Sequence, residues 1–302
     1  MRLEVHLKKK DEARTEMEKD AKNPINKHVY SMDVQAVMIC PKTKASAGYY
    51  KTKLAIHNFT LYNEKTGDGF CNVWDETEAD LSANVFATMI IKFIEENVPS
   101  QAGDHIILWS DGCPYQNRNA TVSNAILDFA MKNRIQIFQK YLEKGHTQMK
   151  CDSMHSGIQR KFKDKEFYLP SSILTYCKQA KGSPSYHSKY WNHDEFLDFS
   201  KINLYSSIRP GKKKGDPVVA DLRALRYDPD GKIYYKVNHS DGEWIPLAQP
   251  ARKSPIKARA MPRLFTARLP IKKTKWQHLQ ELKEIMPRDV HSFYDNIPYR
   301  FD

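Results

Sequence analysis

The sequence has no uncharged apolar run of the roughly 18 residues needed to span a bilayer, and its first stretch, Met1 to Asp20, is a dense mixture of charges, so neither secretion nor membrane insertion is expected. Cysteine is scarce. The five present, Cys40, Cys71, Cys113, Cys151 and Cys177, are scattered, odd in number and without a Cys-x-x-Cys pair, which argues against a disulfide framework or a zinc knuckle. A reducing nuclear or cytosolic compartment fits best. No internal repeat is visible, and acid is missing from one whole segment: Ala251 to Lys275 holds nine Lys or Arg residues and no Asp or Glu, and is broken by Pro255, Pro262 and Pro270. That composition predicts an extended basic linker rather than packed structure.

What is present is enough for a globular fold. The chain of 302 residues is 40% hydrophobic, 11% aromatic and 28% charged, and at roughly 150 residues per domain its length suits about two domains. Lys and Arg number 48 against 36 Asp and Glu, a formal charge of +12, which makes a polyanion the leading class of partner ahead of an acidic protein or a membrane surface.

The first 26 residues read as a solvated charged helix that breaks near Pro24, because Val5, Leu7 and Met17 are too sparse for an apolar stripe. From Val29 to Cys40 the pattern alternates, placing Tyr30, Met32, Val34, Ala36 and Met38 on one face and Ser31, Asp33, Gln35, Val37 and Ile39 on the other, as in a strand. Tyr50 to Tyr62 and Phe70 to Asp75 are further strands around the turn formers Asn63, Gly67, Asp68 and Gly69, which suggests an antiparallel meander. The period then changes: Val85, Phe86, Met89, Ile90, Phe93 and Ile94 share one helical face, predicting a helix from about Leu81 to Asn97. A buried strand from His105 to Ser110, a helix from Thr121 to Lys132, a strand from Ile135 to Tyr141 and a helix from about Ser153 to Lys163 complete a β-β-β-α-β-α-β-α order. Beyond residue 181, Asp228-Pro229-Asp230-Gly231 predicts a hairpin within a small β-rich region over 182–250; the basic linker of 251–275 and an amphipathic helix from Trp276 to Met286, within the tail 276–302, follow.

The positions of the carboxylates carry the functional argument. Asp33 lies inside the first strand, Asp111 at the carboxyl end of the fourth, and Asp152 just past the fifth as a helix begins. If the first and fourth strands are neighbours, these three places converge where α/β sheets collect their chemistry. Carboxylates so gathered repel one another unless a cation neutralises them, and hard Mg2+ or Mn2+ ions prefer oxygen ligands. Two such ions can activate water and stabilise the leaving oxygen of a phosphodiester. The intervals also leave room for two strands and a helix, then for a helix and a strand, which is the order an RNase H-like nuclease core over 27–181 needs.

Three local strings bear on this. Tyr30-Ser31-Met32-Asp33, the segment Trp109-Ser110-Asp111-Gly112-Cys113-Pro114-Tyr115-Gln116-Asn117, and the segment Gly145-His146-Thr147-Gln148-Met149-Lys150-Cys151-Asp152 resemble, in order, the acidic strand, the aspartate with its Gln-Asn, and the Gly-His-[Ser/Thr] motif of a transposase-derived, RNase H-like family of eukaryotic mobile elements. The resemblance extends from Lys27 to Lys163 and, more loosely, over the tail from Lys275 to Tyr299. It implies Asp33, Asp111 and Asp152 as catalytic acids holding two Mg2+ or Mn2+ ions, with nuclease or strand-transfer chemistry on DNA in the nucleus. The broader superfamily often has Glu in the third position, where this chain has Asp152, and its longer members commonly carry a DNA-recognition region ahead of the core. The resemblance therefore also implies a fragment or a domesticated remnant, and the alternative function is that of a catalytically silent nucleic-acid-binding protein.

Other residues have two readings each. His146 and His155 flank Asp152 and suit metal binding, orientation of the acid or phosphate contact, or else a turn and a helix surface. Gln116 and Asn117 suit contact with a phosphate or base edge, or stabilisation of their own loop. A zinc site at Cys151, Asp152 and His155 lacks a second ligand pair, and Cys113 lacks a base partner. Gln159 and Lys163 fall on the helical face of Asp152, and Lys163, Lys212, Lys213, Lys214, Arg252, Lys253, Lys257 and Arg259 are the expected nucleic-acid contacts. RNA or an RNA–DNA hybrid stays open as substrate, as does an oligomeric state.

Overall fold

A computed structural model describes residues 2–22, 26–98, 101, 103–143, 145, 148–248 and 261–301. These form a mixed α/β fold around one large mixed sheet. In chain order the elements that position the site are α1 (Arg2–Lys22), β1 (Lys27–Val34), β2 (Met38–Cys40), β3 (Leu54–Asn63), β4 (Gly69–Asp75), α2 (Ala83–Asn97), β5 (His105–Ser110), α3 (Ala120–Asn133), β6 (Gln136–Tyr141) and α4 (Lys150–Phe162). There follow α5 (Ile173–Gln179), β7 (His187–Tyr190), β8 (Ala224–Tyr227), β9 (Ile233–Lys236), β10 (Ile245–Pro246) and, past a short strand, α6 (Lys273–Leu282). The sheet order is β10-β9-β8-β6-β5-β1-β3-β4-β7, with β2 paired to β3. β3 runs antiparallel to β1 and to β4, while β1, β5 and β6 are mutually parallel.

Period-two alternation decides which helix covers which face. Tyr30 and Met32 of β1 join Ile106 and Leu108 of β5 in the core under α2 and α3, where Val85, Phe86, Met89, Ile90, Phe93 and Ile94 are all buried as their spacing predicts. Val29, Ile107 and Trp109 point to the opposite face, against Ala13 of α1 and Met149 and Cys151 of α4. Asp33 shares the parity of Val29 and so belongs to the face of α1 and α4.

Several expectations are corrected. The strand expected across 29–40 divides into β1 and β2, because the side chain of Gln35 turns inward, accepts a hydrogen bond from Asn58 at 2.9 Å and donates to the His155 carbonyl. The helix α4 starts at Lys150, ahead of the expected Ser153, since the Asp152 carboxylate accepts a hydrogen bond from the Met149 backbone N–H at 2.8 Å and closes the first turn. The charged N-terminal helix is not simply solvated. Lys140, only 8% exposed at its side chain, is clamped between Glu16 and Asp20 of α1, and Trp109 Nε1 donates to the same Asp20. Of the side chains of α1 described, Ala13 is the one apolar group fully buried, so polar anchors rather than an apolar stripe dock this helix.

Both α5 and β7 fall where the sequence pattern predicts neither; β7 is a half-buried edge strand of composition His-Ser-Lys-Tyr, too polar to signal itself. The hairpin expected around residues 228–231 is present as β8 and β9, and β8 pairs antiparallel with β6, so these strands extend the central sheet. Within the stretch expected to be an extended basic linker, 251–260 lie outside the described residues. From Met261 onward the chain is extended yet packed: the Leu264 N–H donates to Phe196, the Leu269 N–H donates to Thr77, and Arg268 pairs with Glu78. Proline and the lack of acid were misleading here because the neutralising acids Glu76 and Glu78 come from another part of the chain. No helix among the described residues is long and apolar enough to cross a membrane.

Candidate metal centre

β1 and β5 lie side by side and parallel, with Ser31 registered against Trp109. Asp33 lies in β1 two residues beyond that pair, and Asp111 directly follows the last residue of β5, near enough for its charge to act on Asp33. Past β5 the chain turns sharply: Asp111 Oδ1 accepts the Cys113 N–H at 3.0 Å, and Gly112 adopts φ +72°. The glycine is required twice over. Its φ lies in the left-handed region, and a Cβ there would collide with the guanidinium of Arg118. That arginine is buried, donates to the Ala220 carbonyl at 3.1 Å and stacks 4.2 Å from the Tyr141 ring centre, close enough to Asp111 for their charges to interact through space.

The third component comes from α4, which lies over β1 and β3. Cys151 is buried and contacts Ser31 and the carbonyl of Thr60, fixing the rotation of the helix. Asp152 is thereby exposed at the first turn, and His155, one turn on, points down between α4 and the sheet. Its Nε2 lies 2.8 Å from the Thr60 hydroxyl and its Nδ1 lies 4.0 Å from Asp33 Oδ2. Asp33, Asp152 and His155 each present a ligand atom within 4.8 Å of the others. They open on a cavity of about 480 Å³ that is also lined by Val37, Ile39, Lys42, Ser156 and Gln159.

The electrostatics of this cluster are unfavourable when both acids are charged. Burial, reinforced by the negative charges of Asp111 and Asp152, pushes the Asp33 carboxyl up to about 7. Burial drives His155 the other way, down to about 4 in spite of the attraction of Asp152, so its imidazole is neutral near pH 7. Among the described residues no lysine or arginine makes an ion pair with Asp33, Asp111 or Asp152. Oxygen donors that repel one another, with a neutral imidazole beside them and no protein cation in contact, form a donor set that suits a divalent ion.

The other expected site residues distribute differently. His146 lies outside the described residues, as do Arg252, Lys253, Lys257 and Arg259. Asn117 is buried under the loop, where its carbonyl accepts from Gln139, so it stabilises the turn and is not available to a phosphate; Gln116 is half-buried on the same loop. Lys163 is exposed just past the end of α4, and Lys212, Lys213 and Lys214 are exposed in a loop away from regular structure. Gln159 lines the same cavity as Asp152 and His155, as its helical spacing implies. Two further acids at the end of β4, Asp75 and Glu76, are engaged away from the cluster: Asp75 accepts from Thr77 and Tyr190, and Glu76 pairs with Lys275. All five cysteines are free thiols.

Residues the sequence reading passed over include Thr60, which holds His155, and the buried pair Gln35 and Asn58 beneath it. The signal available was polar side chains at Asn58 and Thr60, both buried, on either side of Phe59 in β3. Glu64 was also passed over. Its acid is raised by burial, and it lines a second cavity of about 700 Å³ between α1 and α4 that reaches Asp152.

Residues 36–182 match the family model of a domain of unknown function (DUF8701). That span contains Thr60, Asp111, Asp152 and His155, and begins just after Asp33. No curated protein and no solved structure matches the chain.

Proposed function

We propose that this chain is a transposase-derived, RNase H-like nuclease or DNA-joining enzyme that cuts or transfers phosphodiester bonds with Mg2+ or Mn2+ held by Asp33, Asp111 and Asp152. The observation that carries the reading is the meeting of Asp33 with Asp152 and His155 at the end of β1; Asp111 is not one of that trio but follows the last residue of the adjacent parallel strand, near enough for its charge to act on Asp33. The strand order supports it. Setting aside β2 and the later additions, β4-β3-β1-β5-β6 is a three-stranded antiparallel meander followed by two parallel strands, the arrangement an RNase H-like core requires.

In this reading Asp33, Asp111 and Asp152 would hold the ions, with Asp33 and Asp152 already close to one another. The ions, when bound, supply a nucleophile at neutral pH and offset the charge that builds on the leaving oxygen. The protein's own part is to hold the acids rigidly. β1 and β5 fix Asp33 and Asp111, the Gly112 turn ties one Asp111 oxygen to the Cys113 N–H, and the cap on α4 ties one Asp152 oxygen to the Met149 N–H. The exposed Lys163, Lys212, Lys213 and Lys214 and the basic segment 252–259 supply contacts to the phosphate backbone.

The test is a nicking assay on supercoiled DNA with Mg2+ or Mn2+, comparing wild type with Asp111→Ala. The proposal requires metal-dependent nicking that the substitution lowers by at least about a hundredfold. Equal activity in both overturns it. Salt-sensitive DNA binding without nicking identifies a silent nucleic-acid-binding protein instead.

A further inference from the structure

The metal reading above leaves open what His155 contributes, and the hydrogen bonds around Thr60 resolve it. The Thr60 hydroxyl has one proton and two contacts: the backbone carbonyl of Asp33 at 3.1 Å and Nε2 of His155 at 2.8 Å. The carbonyl oxygen can only accept, so the hydroxyl proton goes to it. The hydroxyl must then accept from His155, which places the imidazole proton on Nε2 and leaves a lone pair on Nδ1. That lone pair faces Asp33 Oδ2 across 4.0 Å, a separation too long for a hydrogen bond. Two electron-rich atoms face each other with room for an ion between them, and Asp152 presents a third donor to the same space.

We propose that Thr60 is a positioning residue that fixes the tautomer of His155, making Nδ1 a nitrogen ligand of the ion shared by Asp33 and Asp152. The inference rests on the metal reading and refines it. A hard oxygen-only site suits Mg2+, whereas an imidazole in the ligand set favours first-row transition ions, so this position selects Mn2+ over Mg2+. The His155 side chain is held from both ends. Its ring is anchored through Nε2 by Thr60, and its backbone carbonyl accepts from Gln35, which Asn58 holds in turn. A ring fixed in this way gives the ligand little freedom to turn aside, which is the role second partners play around metal-bound histidines.

The experiment uses the full chain loaded with Mn2+ and pulsed electron paramagnetic resonance, which detects the magnetic coupling of a directly bound nitrogen to the ion. Wild type is expected to show that coupling and His155→Gln to lack it, with Mn2+ affinity falling more than Mg2+ affinity. Thr60→Val is expected to weaken Mn2+ binding by about 10-fold and Thr60→Ser, which restores the hydroxyl, to recover it. Asp33→Asn tests the underlying reading separately, since it should reduce the affinity for both ions. Mn2+ bound in an Asp33-dependent manner with no nitrogen coupling in wild type overturns the inference and leaves the metal reading standing. Failure of wild type to bind either ion overturns both.

Discussion

Asp33 Oδ2 and His155 Nδ1 face each other at 4.0 Å between the last residues of β1 and the second turn of α4, and their proton affinities have moved in opposite directions. The carboxyl is held up at about 7 by burial and neighbouring acids, and the imidazole is held down at about 4 by burial. An ion entering this site must displace a proton from Asp33 below pH 7 and none from His155. Binding of Mn2+ is therefore expected to tighten as pH rises from 5.5 to 8 and level off above about 7. Calorimetry in buffers of different ionisation enthalpy should detect close to one proton released at pH 6 and almost none at pH 8. Affinity independent of pH across this range would contradict the assignment.

The same shift has a consequence for the metal-free protein. An acid whose folded pKa is raised binds its proton more tightly when folded, so stability falls as pH climbs from about 4 through about 7. Replacing Asp33 by Asn removes that penalty. At pH 8, where His155 is neutral in both folded and unfolded chains, Asp33→Asn is expected to stabilise the metal-free protein by on the order of 1–3 kcal/mol in urea unfolding. Near pH 4 the gain should vanish. A destabilised variant at pH 8 would show that the carboxylate is satisfied without a cation.

Docking of α1 depends on Lys140, which is buried between Glu16 and Asp20. Lys140→Met keeps the apolar stem but leaves Asp20, 4% exposed, with the Trp109 indole as its one remaining side-chain partner among the described residues. The expected loss is about 3–5 kcal/mol, because an uncompensated buried charge costs more than the pair contributes. Hydrogen exchange should show α1 losing protection ahead of β5. Unchanged exchange in α1 would show that its contacts elsewhere suffice.

Gly112→Ala tests the turn that presents Asp111. The left-handed φ of +72° and the collision with Arg118 are expected to cost about 1–3 kcal/mol together. Because the same turn ties Asp111 to Cys113, Mn2+ affinity should fall as well. A variant with wild-type affinity would place Asp111 outside the metal site.

The sequence made much of this arrangement legible, and the rest was hidden for identifiable reasons. Strong periodicity over Val85–Ile94 and the apolar run Ile106–Trp109 located α2 and β5, while the adjacency of β1 and β5, which the sequence left as a condition, is met in the structure. The break after Val34 depends on Gln35 turning toward Asn58, a cross-strand contact that alternation cannot reveal. Docking of α1 was invisible because it uses buried charge rather than an apolar stripe, and the partner Lys140 is remote in sequence. His155 was readable as a candidate, whereas Thr60 was not, since a threonine in a strand is ordinarily there for its β-branched shape.

If Asp33, Asp111 and Asp152 gather around divalent ions, crystals soaked in Mn2+ will reveal it in their anomalous scattering. A strong peak is expected between Asp33 and Asp152 within about 2.0–2.4 Å of their oxygens, with Asp111 drawn into coordination of the same or an adjacent ion. Crystals with no Mn2+ peak at these three carboxylates, while the ion binds elsewhere on the chain, would contradict it.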